Sequence, residues 1–201
     1  MSISRQNLTI IIVTFKSNHV LHECIESIGG LIKIIVIDNS NDKEFKKDIE
    51  TKYNNVRCIL SEKNVGMGAG NNLGIKHIDT NYAFILNPDV ILDSDTIDEI
   101  IESTKKIDSF AVVAPIEKNE NFPNFKLDRK KKQLFNDVNP FKVQSVDGYA
   151  MLLNVERLSK LENFKKNNFF DDNFFMYLEN EDFCKRIIDL NEKIFIVPKS
   201  K

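Results

Sequence analysis

The chain has 201 residues, 42% hydrophobic and 29% charged, with 7 Gly and 5 Pro. This is enough for one domain with a continuous core and too apolar for disorder or a fibrous repeat. A formal net charge of -2 provides no global basic field for nucleic acid. Cys24, Cys58 and Cys184 are scattered and odd in number, so reduced thiols and a cytoplasmic setting are expected, not a disulfide framework or zinc cage.

Leu8 to Val13 is a short, almost wholly apolar, β-branched run, the pattern of a strand buried on both faces of a parallel sheet. It is too short for a signal segment or a membrane span. Lys33 to Ile37 repeats it, with Val56 to Leu60, Ala83 to Leu86 and Phe110 to Val113 as shorter versions. Between them, Leu21, Cys24, Ile25 and Ile28 share one helical face, and Ser94 to Lys106 carries Ile97, Ile100 and Ile101 behind an acidic first turn. Such alternation predicts βαβ units in a mostly parallel, doubly wound sheet with helices on both faces. The segment from Glu117 to Asn139 reads as a long excursion. Beyond it, Gln144 to Leu153 reads as a strand broken at Asp147-Gly148, Glu179 to Asn191 as a helix, and Ile194 to Val197 as a last strand. One domain is expected, with a nucleotide-binding half over 1–90 and an acceptor-side half over 91–201.

Four segments carry groups suited to chemistry. Asp38-Asn39-Ser40-Asn41-Asp42 ends the second strand, where open α/β sheets bind ligands; its bland reading is a polar turn closed by its own side chains. Gly66, Gly68 and Gly70 lead into an expected helix over Asn72 to His77. That is either a backbone cradle for phosphate or a helix packed closely through small residues. Asn87-Pro88-Asp89 follows an apolar strand and presents two oxygen-bearing side chains from a stiff turn, the ligand type preferred by Mg²⁺ and Mn²⁺. Glu179, Asp182 and Arg186 share a helix face. A carboxylate there suits proton removal from a hydroxyl, while an Asp182–Arg186 pair is the structural alternative.

In this order, six pieces resemble the family 2 glycosyltransferases, particularly their rhamnosyltransferase-like bacterial members. They are Ile11 to Ser17, Val36 to Ser40, Asn64 to Ile75, Leu86 to Val90, Asp147 to Met151, and Phe170 to Tyr177 running into Glu179 to Arg186. The resemblance implies a GT-A fold and metal-dependent, inverting transfer of a sugar from a nucleoside-diphosphate sugar to a glycan or lipid-linked acceptor, in the setting of bacterial surface polysaccharide synthesis. It implies that Thr14 and Phe15 flank the base pocket, that Asp38 binds the nucleobase, and that Gly66 and Asn72 border the diphosphate. Asn87 and Asp89 stand for the family's D-x-D motif, with Asp89 ligating Mn²⁺ or Mg²⁺. The family's usual base position holds Asn180 here, which leaves Glu179, slightly favoured, or Asp182. The histidine that many relatives carry beyond the last core strand has no counterpart, and a truncated catalytic core is one expectation. A nucleotide-sugar or glycan-binding module without turnover is the alternative. Arg129-Lys130-Lys131-Lys132 most often means a solvated loop; its sharper reading is peripheral contact with an anionic membrane surface at the inner face of the plasma membrane. The sequence leaves the oligomeric state open.

Overall fold

The structure is a computed structural model that describes residues 2–119, 121–128 and 138–200. The basic run at 129–132 lies outside the described residues.

Ten strands and six α-helices are described: β1 (Leu8–Thr14), α1 (Asn18–Ile28), β2 (Lys33–Asp38), α2 (Lys43–Lys52), β3 (Val56–Leu60), α3 (Gly66–Ile75), β4 (Tyr82–Leu86), α4 (Thr96–Thr104), β5 (Val112–Pro115), β6 (Phe125–Lys126), β7 (Phe141–Val143), β8 (Ser145–Val146), β9 (Ala150–Asn154), α5 (Val155–Leu158), α6 (Glu179–Asp189) and β10 (Ile194–Val197). Eight strands form one sheet in the order β3-β2-β1-β4-β9-β5-β10-β7, and β6 pairs with β8 in a small second sheet. The β1–β2, β1–β4, β2–β3 and β5–β10 pairings are parallel, whereas β9 runs antiparallel to both β4 and β5 and β7 antiparallel to β10.

The continuous apolar strands explain the layering. In β1 every residue is buried, because alternate side chains enter opposite layers. Ile10 and Ile12 join Leu21, Cys24, Ile25 and Ile28 of α1 and Ile97 and Ile100 of α4 on one face. Ile11 joins Ile75 of α3 and Phe183 and Ile187 of α6 on the other. Both faces are thereby covered, as the unbroken hydrophobic run requires.

Two sequence expectations change here. The glycines at 66, 68 and 70 lie inside α3, which begins six residues earlier than expected. They serve close packing: a Cβ on Gly70 would meet Val13 Cγ1 at 2.8 Å, and one on Gly74 would meet Ile11 Cγ2 at 2.5 Å. The helix therefore lies almost directly on β1. The strand expected over Gln144 to Leu153 is two strands, β8 and β9, in different sheets, and the break at Asp147-Gly148 is where the chain changes sheet.

Candidate active site

Strand order locates the site. From β1 the chain builds outward through β2 and β3, then returns to place β4 on the other side of β1. The carboxyl ends of β1 and β4 therefore flank a switch point, where connections diverge and leave a crevice. Phe15 follows β1 there, and Asn87-Pro88-Asp89 follows β4.

A cavity of about 640 Å³ opens at this edge. Its lining includes Phe15, Met67, Asn87 and Asp89 from the first half of the chain, and Asp147, Tyr149, Glu179 and Asn180 from the second. A neighbouring cavity of about 450 Å³ shares Asn87, Asp89 and Tyr149. The Asn87-Pro88-Asp89 tip is therefore central to the crevice. Its backbone is anchored, since the Asn87 amide donates to Tyr149 O at 2.9 Å and Asn87 O accepts from Val90 N at 3.2 Å. The Cys24 thiol donates to the same carbonyl at 3.6 Å. Burial, reinforced by the Asp89 charge, pushes that thiol up to about 12, so it stays protonated and inert. Asp89 itself is exposed.

The opposite wall is the segment before α6. Phe175, Met176, Tyr177 and Leu178 are all exposed, Tyr177 by 76%. Tyr177 and Leu178 take φ values of 68° and 71° in succession, a costly conformation for residues with side chains. A contact with α3 secures the wall: Phe175 O accepts from Met67 N at 3.0 Å. Gly66, at φ 84°, passes so close that a Cβ would stand 2.0 Å from Phe175 O, so only glycine fits. Met67 N is bound to Phe175 O and Gly66 N to Asn64 Oδ1, so the first two amides of α3 are paired within the protein.

The other expected residues divide between floor and frame. Phe15 is 47% exposed and lines the cavity, with the Lys16 ammonium 5.5 Å from its ring centroid. Thr14 is 2% exposed and lies beneath the floor, its Oγ1 enclosed without a hydrogen-bond partner among the described residues. Asp38 is 0% exposed. Its Oδ1 accepts from Ser40 N and Ser40 Oγ, and its Oδ2 from Asp42 N, at 2.6–2.9 Å. Asp42 in turn caps α2 by accepting from Glu44 N and Phe45 N. Asp38 thus closes a polar turn.

Asn72 is likewise internal. Its Oδ1 accepts from the Phe169 and Phe170 amides, and its Nδ2 donates to Phe170 O, Asn168 Oδ1 and Asp172 Oδ1. It clamps residues 168–172 onto α3. Asp182 pairs with Arg186 at 2.8 Å, and Arg186 also donates to Phe169 O. Asp182 is absent from the cavity lining, and its pair with Arg186 forms as helix spacing allows. Glu179 does line the cavity, with Oε2 enclosed and unpartnered among the described residues.

Asp38→Ala separates the framework role from the expected nucleobase contact. Three donors would lose a charged acceptor, so we expect a loss of about 2–4 kcal/mol in stability, read as a lower midpoint in urea unfolding. An unchanged midpoint with weakened nucleotide affinity would restore the nucleobase role.

Among the described residues the cleft lining contains four carboxylates, Asp89, Asp147, Glu179 and Glu181, and no Lys or Arg. Such a lining repels an anionic ligand unless a cation enters with it. Among the described residues no group of three or more His, Cys, Asp or Glu is close enough to hold a metal alone. One exposed carboxylate beside an amide still fits Mg²⁺ or Mn²⁺, which commonly take one or two carboxylates and complete their shell with water and substrate phosphates. No helix among the described residues is long and apolar enough to cross a membrane.

The family model for glycosyl transferase family 2 matches residues 9–177. The chain is 24% identical over 196 residues to the low-salt glycan biosynthesis hexosyltransferase Agl10 of Haloferax volcanii, covering 90% of this chain and 61% of that protein. It thus spans about three fifths of this curated relative. The crystal structure of GalNAc-T7 with UDP, GalNAc and Mn²⁺ superposes with a TM-score of 0.76 at 14% identity, covering 96% of this chain and 43% of that one. Residues 1–349 of TarS from S. aureus, also solved with UDP, superpose at 0.67 over 96% of this chain and 58% of theirs, at 16% and 15% identity.

Proposed function

The chain belongs to glycosyl transferase family 2, and from that premise we propose that it moves a sugar from a nucleoside-diphosphate donor to a hydroxyl of a glycan or lipid-linked acceptor, with inversion and with Mn²⁺ or Mg²⁺. The fold is GT-A. The carrying observation is the acid-lined cleft at the β1/β4 switch point, with Asp89 exposed at its centre. We read the chain as one unit, in which residues 1–90 supply the nucleotide side and residues 91–201 the acceptor side. Both halves contribute to one sheet and one cleft. The cytoplasmic face of a membrane, where lipid-linked acceptors are met, is the proposed setting.

Each group then has a task. Phe15 offers an exposed ring at the nucleotide side, while Thr14 and Asp38 hold the floor beneath it. Asn87 and Asp89 would hold the cation, which neutralises charge gathering on the departing diphosphate. The strained wall at Tyr177-Leu178 bounds the acceptor side and limits water at the reacting carbon.

This donor set is incomplete without substrate, which gives a direct expectation. Mn²⁺ alone and UDP alone should each raise the melting temperature by about 1 °C or less, and together by several degrees, since each binding event completes the other's site. Equal shifts for UDP with and without Mn²⁺ would contradict metal dependence. For the activity itself, a panel of nucleotide sugars with Mn²⁺ and glycan or lipid-linked acceptors should show nucleoside diphosphate released in step with glycosylated product. Tight donor binding without turnover on any acceptor would favour the binding-module reading, for which Asn180 in place of the family's acid is the specific observation.

A further inference from the structure

The structure shows what Asn180 does in place of a base. Its Nδ2 donates to Val146 O at 3.1 Å, and its Cβ packs against Gly148 so closely that a Cβ on that glycine would approach it to 3.2 Å. Its amide ties α6 to the junction between β8 and β9. The acids flanking it on α6 are constrained in other ways. Glu181 pairs with Lys126 at 2.6 Å, Asp182 pairs with Arg186, and Glu179 has one carboxylate oxygen sealed from contact.

At the same junction, next to Gly148, stands a carboxylate outside the acidic cluster. Asp147 lines the cavity that holds Asp89, is exposed, and is anchored through its backbone amide to Asn124 O at 2.9 Å. Its carboxylate accepts no hydrogen bond from the described residues.

Resting on the transferase reading above, we propose that Asp147 is the general base, its carboxylate taking the proton of the acceptor hydroxyl across the contact that Asn180 makes with Gly148. In that step the acceptor oxygen forms a bond to the anomeric carbon. The bond from that carbon to the β-phosphate oxygen breaks, its electron pair leaves with the nucleoside diphosphate, and the hydroxyl proton passes to Asp147. No further co-reactant is needed. The environment suits the task, because a base operates best when its affinity for protons approaches the working pH. Crowding by the cleft walls raises the Asp147 carboxyl above its ordinary range, and the Glu181 charge adds to this against the opposing pull of Lys126. The carboxylates Asp89 and Glu179 share the cleft with it, while two weaker acids stay protonated near neutral pH: burial pushes the Cys184 thiol up to about 12, and burial with the bond to Glu117 raises the Tyr149 phenol further.

The test compares Asp147→Asn, Asp147→Glu and Glu179→Gln with the unaltered chain, using kcat and kcat/KM across pH, donor KM, and the thermal shift given by UDP with Mn²⁺. Asp147→Asn should lower kcat roughly 10²- to 10³-fold, leave donor KM and the thermal shift unchanged, and abolish the acidic limb of the pH profile. Asp147→Glu should recover part of the rate with that limb displaced, and Glu179→Gln should keep the acidic limb. The assignment is overturned if Asp147→Asn keeps rate and profile, if its nucleotide binding collapses as for a framework residue, or if Glu179→Gln alone removes the limb. An unaltered chain that binds UDP and Mn²⁺ yet transfers nothing overturns the transferase reading, and this assignment with it.

Discussion

Asp89→Ala should abolish metal-dependent transfer, lowering kcat/KM by at least about 10²-fold while leaving the unfolding midpoint within about 0.5 kcal/mol of the unaltered chain. The two halves of that expectation have separate causes. Asp89 is exposed at the tip of a turn and has no ion pair or hydrogen bond among the described side-chain contacts, so its removal costs the fold little. The cleft, by contrast, loses the one carboxylate that follows β4, and a diphosphate entering it would face Asp147, Glu179 and Glu181 with little to hold the compensating cation. Asp89→Asn should behave similarly, because an amide oxygen retains shape but not charge. Transfer assays and urea titrations on the same preparations measure both halves. A large loss of stability, or full activity with Mn²⁺, would contradict the account.

Asn72→Ala should produce the largest structural effect, a loss of about 2–5 kcal/mol. Asn72 is 1% exposed, and its Oδ1 is the acceptor for two consecutive buried amides, Phe169 and Phe170. Leaving a buried N–H without an acceptor costs roughly 1–3 kcal/mol, and alanine also vacates the space between α3 and the 168–172 segment. A drop of about 5–15 °C in Tm is expected for a chain of this size. The damage should reach the cleft, because the same segment leads into Phe175 and the Tyr177-Leu178 wall. An unchanged Tm combined with weakened nucleotide binding would return Asn72 to the diphosphate role that the resemblance implied.

These substitutions also mark what could be read from sequence. The central strands were legible because a β-branched run such as Ile10-Ile11-Ile12-Val13 has few other stable environments than a sheet covered on both faces. The Asn87-Pro88-Asp89 tip was legible because a proline turn after such a strand must fall at the sheet's carboxyl edge. The glycines of α3 were ambiguous in principle. A missing Cβ permits close approach to phosphate or to protein, and only the contacts with Val13, Ile11 and Phe175 show which one was needed. Asp38 carried the same ambiguity, since a carboxylate after a strand serves a turn as readily as a ligand, and Ser40 and Asp42 sit at the spacing of a turn. In sequence Asp147 read as a strand break and as the start of one of the six matching pieces, with no catalytic role attached. Its place in the cleft depends on β8 and β9 entering different sheets, a long-range pairing that local patterning does not encode. The Asp182–Arg186 pair needed only helix spacing, and it forms.

The most direct test of the central claim is the position of the cation when donor product is bound. A crystal structure with UDP and Mn²⁺, with anomalous data at the manganese edge, should place one peak beside the Asp89 carboxylate, with the diphosphate completing its shell and the base toward Phe15. A peak elsewhere would contradict the account, as would a diphosphate seated in the more basic cavity at the opposite edge of the sheet, beside Lys105, Arg157 and Lys160.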